Sequence, residues 1–337
     1  MSTKKRKSTS KRRKGDVGLH EIKGKIYSKT GQMAEGVYLL KNRTISSELF
    51  SQIRFTVSDP KILISIHGDP FPGALSGVHG RKAVVEHGSA ANEIIWAISC
   101  LANYSDKLRN YNLVRERFEC AVLRDDKINA MLALREICSD YGWSVWLVQN
   151  NLASAQLWDG LEAKRLLAKE YELMCSDNNF LGFLLGFISR RIEGTAVPGY
   201  LQSELARIFR DTGSTSFELY IRTKLFDLAS PPVEAIAATL AYEAQSSVID
   251  YYETLIAILQ SLIVDEGFCK KVSGLLVRPV SVIYKAVKDK RLRPVLLAMG
   301  GDITQEFFDD SSERAELVEA YSEGRYGDVV EIYSRQF

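Results

Sequence analysis

The chain has 337 residues, 46% of them hydrophobic and 26% charged, which is enough apolar side chain for one large core or two medium ones. Its formal net charge of +2 hides an asymmetry: residues 1–14 hold eight Lys or Arg and no acid, leaving 36 basic against 42 acidic residues beyond them, a balance of −6. No apolar run approaches the ~20 residues of a membrane span, and none follows the basic start as it would in a secretory signal, so no membrane partner is expected. The five cysteines are odd in number and widely spaced, which favours small core residues in a reducing compartment over a disulfide framework or zinc site. An intracellular, cytoplasmic protein is expected, or a nuclear one in a host with a nucleus.

Residues 1–16 are Lys, Arg, Ser and Thr with scarcely an apolar side chain, too few to offset the entropy of ordering, so a disordered tail is expected. Two clusters, Lys4, Lys5, Arg6 and Lys7, then Lys11, Arg12, Arg13 and Lys14, suit either a nucleic-acid arm acting by phosphate neutralisation or a nuclear-import address. The plainer alternative is a solubilising tail, since no aromatic residue is there to stack on bases.

From 17 to 66 short β-prone runs are broken by Gly, Asn and Pro: Ile22, Ile26 and Tyr27, then 37–40, then Ile53, Phe55 and Val57, then 62–66. They predict a small β-containing module, marginal alone and leaning on the helical part of the chain. Residues 67–88, rich in glycine with two prolines and three histidines, read as a loop or linker. Its glycines fit no phosphate-loop or nucleophile-elbow spacing.

Beyond residue 88 helical periodicity dominates, and 89–337 reads as a mainly α, solenoid-like array of helical hairpins. The stretch 118–174 carries the case. Ile128, Met131 and Leu132 fall at i, i+3 and i+4, and Leu134, Ile137, Cys138 and Tyr141 continue a second stripe, predicting two overlapping apolar stripes on one helix face. Asp125 and Asp126 suit the start of that helix and Gly142 its stop. A second helix comes next, with Val145, Val148, Leu152 and Ala155 on one face until Gly160, and a third spans 161–174. Connections this short make neighbours pack antiparallel, and each hairpin leaves an apolar face for the next. Further helices are predicted over 91–104, 107–123, 179–192, 200–210, 216–228, 233–245, 248–264 and 269–277, then from Pro279 to Met299, with a last pair over 312–337.

In 315–337, Tyr321, Gly324, Tyr326, Val329 and Tyr333 stand about where a tetratricopeptide unit has its first-helix aromatic, turn glycine, turn aromatic, small residue and second-helix aromatic. Ala121, Asp125, Ala130 and Leu134 are a poorer match, with Lys127 in place of the turn aromatic. Those residues resemble the tetratricopeptide-like helical repeats, which implies a tetratricopeptide-like or HEAT-like array of helical hairpins with degenerate units.

Three site readings remain. Tyr141, Trp143, Trp146 and Trp158 are either an aromatic anchor for a protein partner or rings filling the space between hairpins. His67, His79 and His87, with Asp69, are the densest set of candidate metal ligands, against surface loop histidines as the plain alternative. Arg190 and Arg191, and Lys285, Lys288, Lys290, Arg291 and Arg293, would extend a nucleic-acid track if they align with the tail. No Cys-x-x-Cys, H-E-x-x-H, Walker or Rossmann fingerprint is present, so no cofactor and no catalytic residue is assigned. The leading expectation is a non-enzymatic scaffold or adaptor. The alternatives are a packaging or nucleoprotein-like protein using the basic arm, and a metal enzyme using the 67–88 loop.

Overall fold

The computed structural model describes residues 19–26, 33–42, 47–79, 87–210, 215–226, 231–264 and 266–301, with 325, 327, 328, 330 and 331 near the C-terminus. The described residues are mainly α-helical, with no strand among them. The basic tail and nearly all of the tetratricopeptide-like 315–337 stretch lie outside the described residues.

The β-rich module expected over 17–66 is not what its described residues form. They make α1 (Leu19–Ile26), α2 (Met33–Lys41), α3 (Ser47–Val57) and α4 (Pro60–His67). The same apolar residues also satisfy a 3.6 period. Ile22 and Ile26 are buried at i and i+4, Val37 and Leu40 at i and i+3, and Phe50, Ile53 and Val57 at i, i+3 and i+7. Packing against a helix overrides the β-propensity of their branched side chains.

That helix is α5 (Ala90–Leu101), started by Ser89, whose hydroxyl accepts from the Asn92 N–H. Every residue from Glu93 to Leu101 is buried, because α2, α3, α12 (Val233–Glu243), α13 (Val248–Leu262) and α14 (Glu266–Val287) surround it. A helix enclosed on all sides must be apolar all round, and Ile94, Ile95, Trp96, Ile98 and Leu101 meet that demand at roughly 1.5–3 kcal/mol of burial each. Its single charge, Glu93, is held by Lys41 at 2.9 Å and by the Gly88 N–H at 2.8 Å. The Lys41 ammonium also stands 5.1 Å from the Trp96 ring centre.

Stacked hairpins flank this hub. Helix α6 (Ser105–Leu123) packs on α7 (Lys127–Tyr141), α7 on α8 (Val145–Met174), and α8 on α9 (Asn179–Ile192). From there α10 (Pro198–Phe209) and α11 (Thr215–Phe226) lead back through α12 to α5. Asp126, Ser144 and Asn178 cap α7, α8 and α9 by accepting from the N–H three residues on. Gly160, at φ 85° and ψ 179°, breaks α8 into two helical segments. Neighbour-on-neighbour stacking is the solenoid-like feature, whereas α5, wrapped by elements distant in sequence, is not something a one-dimensional stack supplies.

Two expectations within the helices are corrected. The stripe of Ile128 and Leu132 faces outward, 75% and 53% exposed, while Ala130, Ala133, Leu134, Ile137 and Tyr141 are buried. Small alanines permit the close approach of α6 to α7, and that choice turns the larger pair to the outside. The break expected at Pro279 is absent too, since α14 runs through it. Proline removes one hydrogen bond there, and Leu275, whose carbonyl loses its donor, is on the exposed side.

Residues 68–79 form a strap rather than a spacer. The Pro70 carbonyl accepts from the Val248 N–H and the Pro72 carbonyl from the Trp143 N–H, at 2.9 and 2.8 Å. The Asn178 amide donates to the Ser76 and Val78 carbonyls, and Leu75 and Val78 are buried under α8 and α9. Gly142, at φ 71°, lies so close that a Cβ would sit 2.5 Å from the Pro72 oxygen.

Candidate interaction surface and neighbouring sites

The four aromatic residues of the 141–158 stretch do not form one exposed patch. Tyr141 is buried, its ring 5.8 Å from that of Tyr111. Trp143 is half-buried edge-on to Tyr171 at 5.8 Å. Trp146 packs on Tyr111 and Phe118, at 5.6 and 6.0 Å. Trp158 is half-buried and donates its indole N–H to Asp125 at 2.7 Å. Ring packing between layers accounts for each of these contacts.

What the same layers expose is aliphatic. Leu123 ends α6, Ile128 and Leu132 lie on the outer side of α7, and Leu157, Leu161, Leu166 and Leu173 project from α8. The Trp158–Asp125 hydrogen bond and the Lys127–Asp159 ion pair pin the start of α7 to the bend at Gly160. Leu123, Ile128, Leu157 and Leu161, each within four residues of these pins, are therefore exposed near one end of the layers. Leu132 follows one turn along α7, and Leu166 and Leu173 lie seven apart on the second segment of α8. Seven large aliphatic side chains left in water on adjoining helices are a candidate protein-binding surface.

Beneath the other end of α8 lie buried polar networks. The Asp250 carboxylate, fully buried, accepts from the Val145 and Trp146 N–H groups, both at 2.8 Å, and from the Ser246 and Ser247 hydroxyls. A carboxylate from α13 thereby completes the N-terminal cap of α8. A cavity of about 490 Å³ opens nearby between α8, α11, α12 and α13, with Trp146, Thr223, Lys224, Thr239, Glu253 and Thr254 on its walls. Both of its charges are already paired. Lys224 Nζ lies 2.9 Å from Glu243 Oε1, and Glu253 receives the Arg291 guanidinium through two bonds of 2.6 and 2.9 Å and the Tyr111 hydroxyl at 3.1 Å. The Thr223 and Thr239 hydroxyls are buried without a partner.

Arg291, one of the predicted basic track, is thus internal. It also binds Asp289, which accepts from the Tyr252 hydroxyl at 2.6 Å. Burial alone would raise the Asp289 pKa, but Arg291 and the Tyr252 hydroxyl hold it below the usual carboxylate range. Arg190 pairs with Glu204, and Arg191 donates to the Leu225 carbonyl. Among the described residues these cations hold the fold together.

The three loop histidines go to three places. His67 donates through Nδ1 to the Ala244 carbonyl at 2.7 Å, and its Nε2 lies 3.3 Å from Cys100 Sγ. His79 is buried at φ 52°, with Nε2 3.2 Å from the Tyr220 hydroxyl, which donates to Glu243 at 2.8 Å. That hydroxyl has one proton and gives it to Glu243, so Nε2 of His79 carries the proton it donates. His87 Nε2 stands 3.3 Å from the Ser216 hydroxyl. Among the described residues no three His, Cys, Asp or Glu side chains converge as metal ligands do, and Asp69 instead accepts from the Phe71 N–H.

These features define a mainly α-helical protein, in which stacked helices adjoin a bundle that encloses α5, with no described helix long and apolar enough to cross a membrane. No protein family, curated protein or solved structure matches the chain.

Proposed function

We propose that the protein is a non-enzymatic scaffold that binds a protein partner on the aliphatic surface of α6, α7 and α8. The observation that carries the reading is the outward turn of Ile128 and Leu132, with Leu157 and Leu161 also exposed, on helices joined by the Trp158–Asp125 hydrogen bond and the Lys127–Asp159 ion pair. A rigid face loses little entropy on binding, and a partner's amphipathic helix with apolar residues at i, i+3 and i+4 suits two parallel rows of aliphatic side chains. The buried Glu243 and the half-buried Glu253 beside the cavity are each paired with a cation, Lys224 and Arg291, which favours a structural role for them over turnover. The test is the full chain carrying Ile128→Glu and Leu161→Glu, compared with the parent for thermal midpoint and for the size of its native complex in cell extract. An unchanged midpoint with collapse of the complex to free protein is expected. A complex of unchanged size contradicts the reading.

A second reading, association with nucleic acid, is favoured by the basic 1–14 arm together with α14, which from 267 to 287 carries Lys270, Lys271, Arg278 and Lys285 and no Asp or Glu. It predicts salt-dependent binding that falls steeply when residues 1–14 are deleted.

A further inference from the structure

A cleft of about 340 Å³ lies between α3, the C-terminal end of α5 and α14, far in sequence from the aliphatic surface. Arg54 of α3 and Arg278 of α14 line it together, with Ser51, Ser58, Ser99 and Asn103, and no carboxylate is among its described lining residues. Ser58 and Ser99 give their hydroxyl protons to the Phe55 and Ile95 carbonyls, and the Asn103 amide donates to the carbonyls of Ser99 and Cys100. The free donors are therefore the two guanidiniums, and neither has a side-chain hydrogen bond or ion pair among the described residues. Among the described residues Arg115, Arg190 and Arg291, by contrast, are each answered by a carboxylate. Two guanidiniums lining one cleft repel each other, an anion between them relieves that repulsion, and their planar forks match the oxygens of a phosphate.

The charge continues along the helix. Lys271 and Lys285 stand seven residues before and after Arg278, so all three share one exposed face of α14, about 10 Å apart in rise. Neither lysine has a partner among the described residues. A single small anion would occupy the cleft alone, whereas a row of cations over about 20 Å suits successive phosphates of one strand.

We infer that the cleft between Arg54 and Arg278 is a phosphate-binding site, and that Lys271 and Lys285 extend it into a track for a phosphodiester backbone. The site stands independently of the 1–14 arm and of the protein-binding surface, and its test separates it from both. Chains lacking residues 1–14, with and without Arg54→Gln and Arg278→Gln, are titrated with a fluorescein-labelled 20-nucleotide single-stranded RNA over a potassium chloride series. Thermal midpoints are read with inorganic phosphate and with a nucleoside monophosphate. Removing both guanidiniums is expected to weaken RNA binding about tenfold and to flatten the log–log salt slope by about 1.4, at roughly 0.7 per phosphate contact. Arg54→Lys with Arg278→Lys should restore most of the slope, since the charge is kept. If RNA binding is unchanged but the small phosphates raise the midpoint of the parent and not of the Gln variant, the site holds and its ligand is a free phosphate compound. If the substitutions change neither, the inference is overturned.

Discussion

Asp250 concentrates more buried polar contacts than any motif in the sequence announced. Removing its carboxylate strands the Val145 and Trp146 N–H groups and two buried serine hydroxyls. Asp250→Ala should therefore lose about 3–5 kcal/mol in urea unfolding, with Trp146 fluorescence as a local readout. His79 makes a different prediction. Burial first, and the Lys224 charge as well, lower its pKa, against Glu243 and Asp250, which raise it; the net direction is downward. A depressed histidine stays neutral in the folded protein while the unfolded chain takes up a proton. The stability it contributes is complete above about pH 6.5 and is lost as pH falls below that, by up to about 1.4 kcal/mol per pH unit. Denaturation between pH 7.5 and 5 should show this slope in the parent and a shallower one in His79→Gln. Neither role was legible in the sequence, because both depend on partners more than 60 residues away: 105 for Val145 to Asp250 and 141 for His79 to Tyr220.

At the scale of elements, what could be read was whatever is local. Asp126, Gly142 and Gly160 mark their boundaries with the residue types that caps and stops require, and the structure puts the ends of α7 and the bend of α8 there. The side of α7 that faces inward was not local information. Ile128 and Leu132 match a core stripe as well as Leu134 and Ile137 do, and only contact with α6 decides between them. The same holds for α1 to α4, where β-branched residues fit two periods and burial selects one: α2 and α3 pack on α5, α1 on α2 and α4 on α3. Arg54 lies in the 17–66 stretch whose pattern fits both periods, and the expected basic track on α14 began only at Lys285, without Lys271 and Arg278. The two glycine bends test how tightly the strap is fitted. Gly142 and Gly160 both occupy backbone conformations open essentially to glycine alone, at φ 71° and 85°, but only Gly142 faces another backbone at once. Gly160→Ala should cost about 1–3 kcal/mol, and Gly142→Ala clearly more, since the Pro72 carbonyl must also move. Equal losses in the two variants would mean that the strap gives way freely.

For the whole molecule, the fold divides its duties between a closed interior and an open flank. Inside the body α5 is enclosed and its one charge, Glu93, is matched by Lys41, while the α6–α8 layers keep aliphatic side chains in water. Such a surface adds nothing to the stability of the free chain, and the proposed partner would remove it from water. The central claim is that this face, and not some other part of the body, meets that partner. The most direct measurement is photocross-linking in living cells from benzoylphenylalanine placed at Ile128, with Asp106, exposed at the opposite end of α6, as the control position. The account predicts one discrete cross-linked protein from position 128 that is absent from position 106 and disappears when Leu161→Glu is added. Equal cross-linking from both positions, or none from 128, would contradict it.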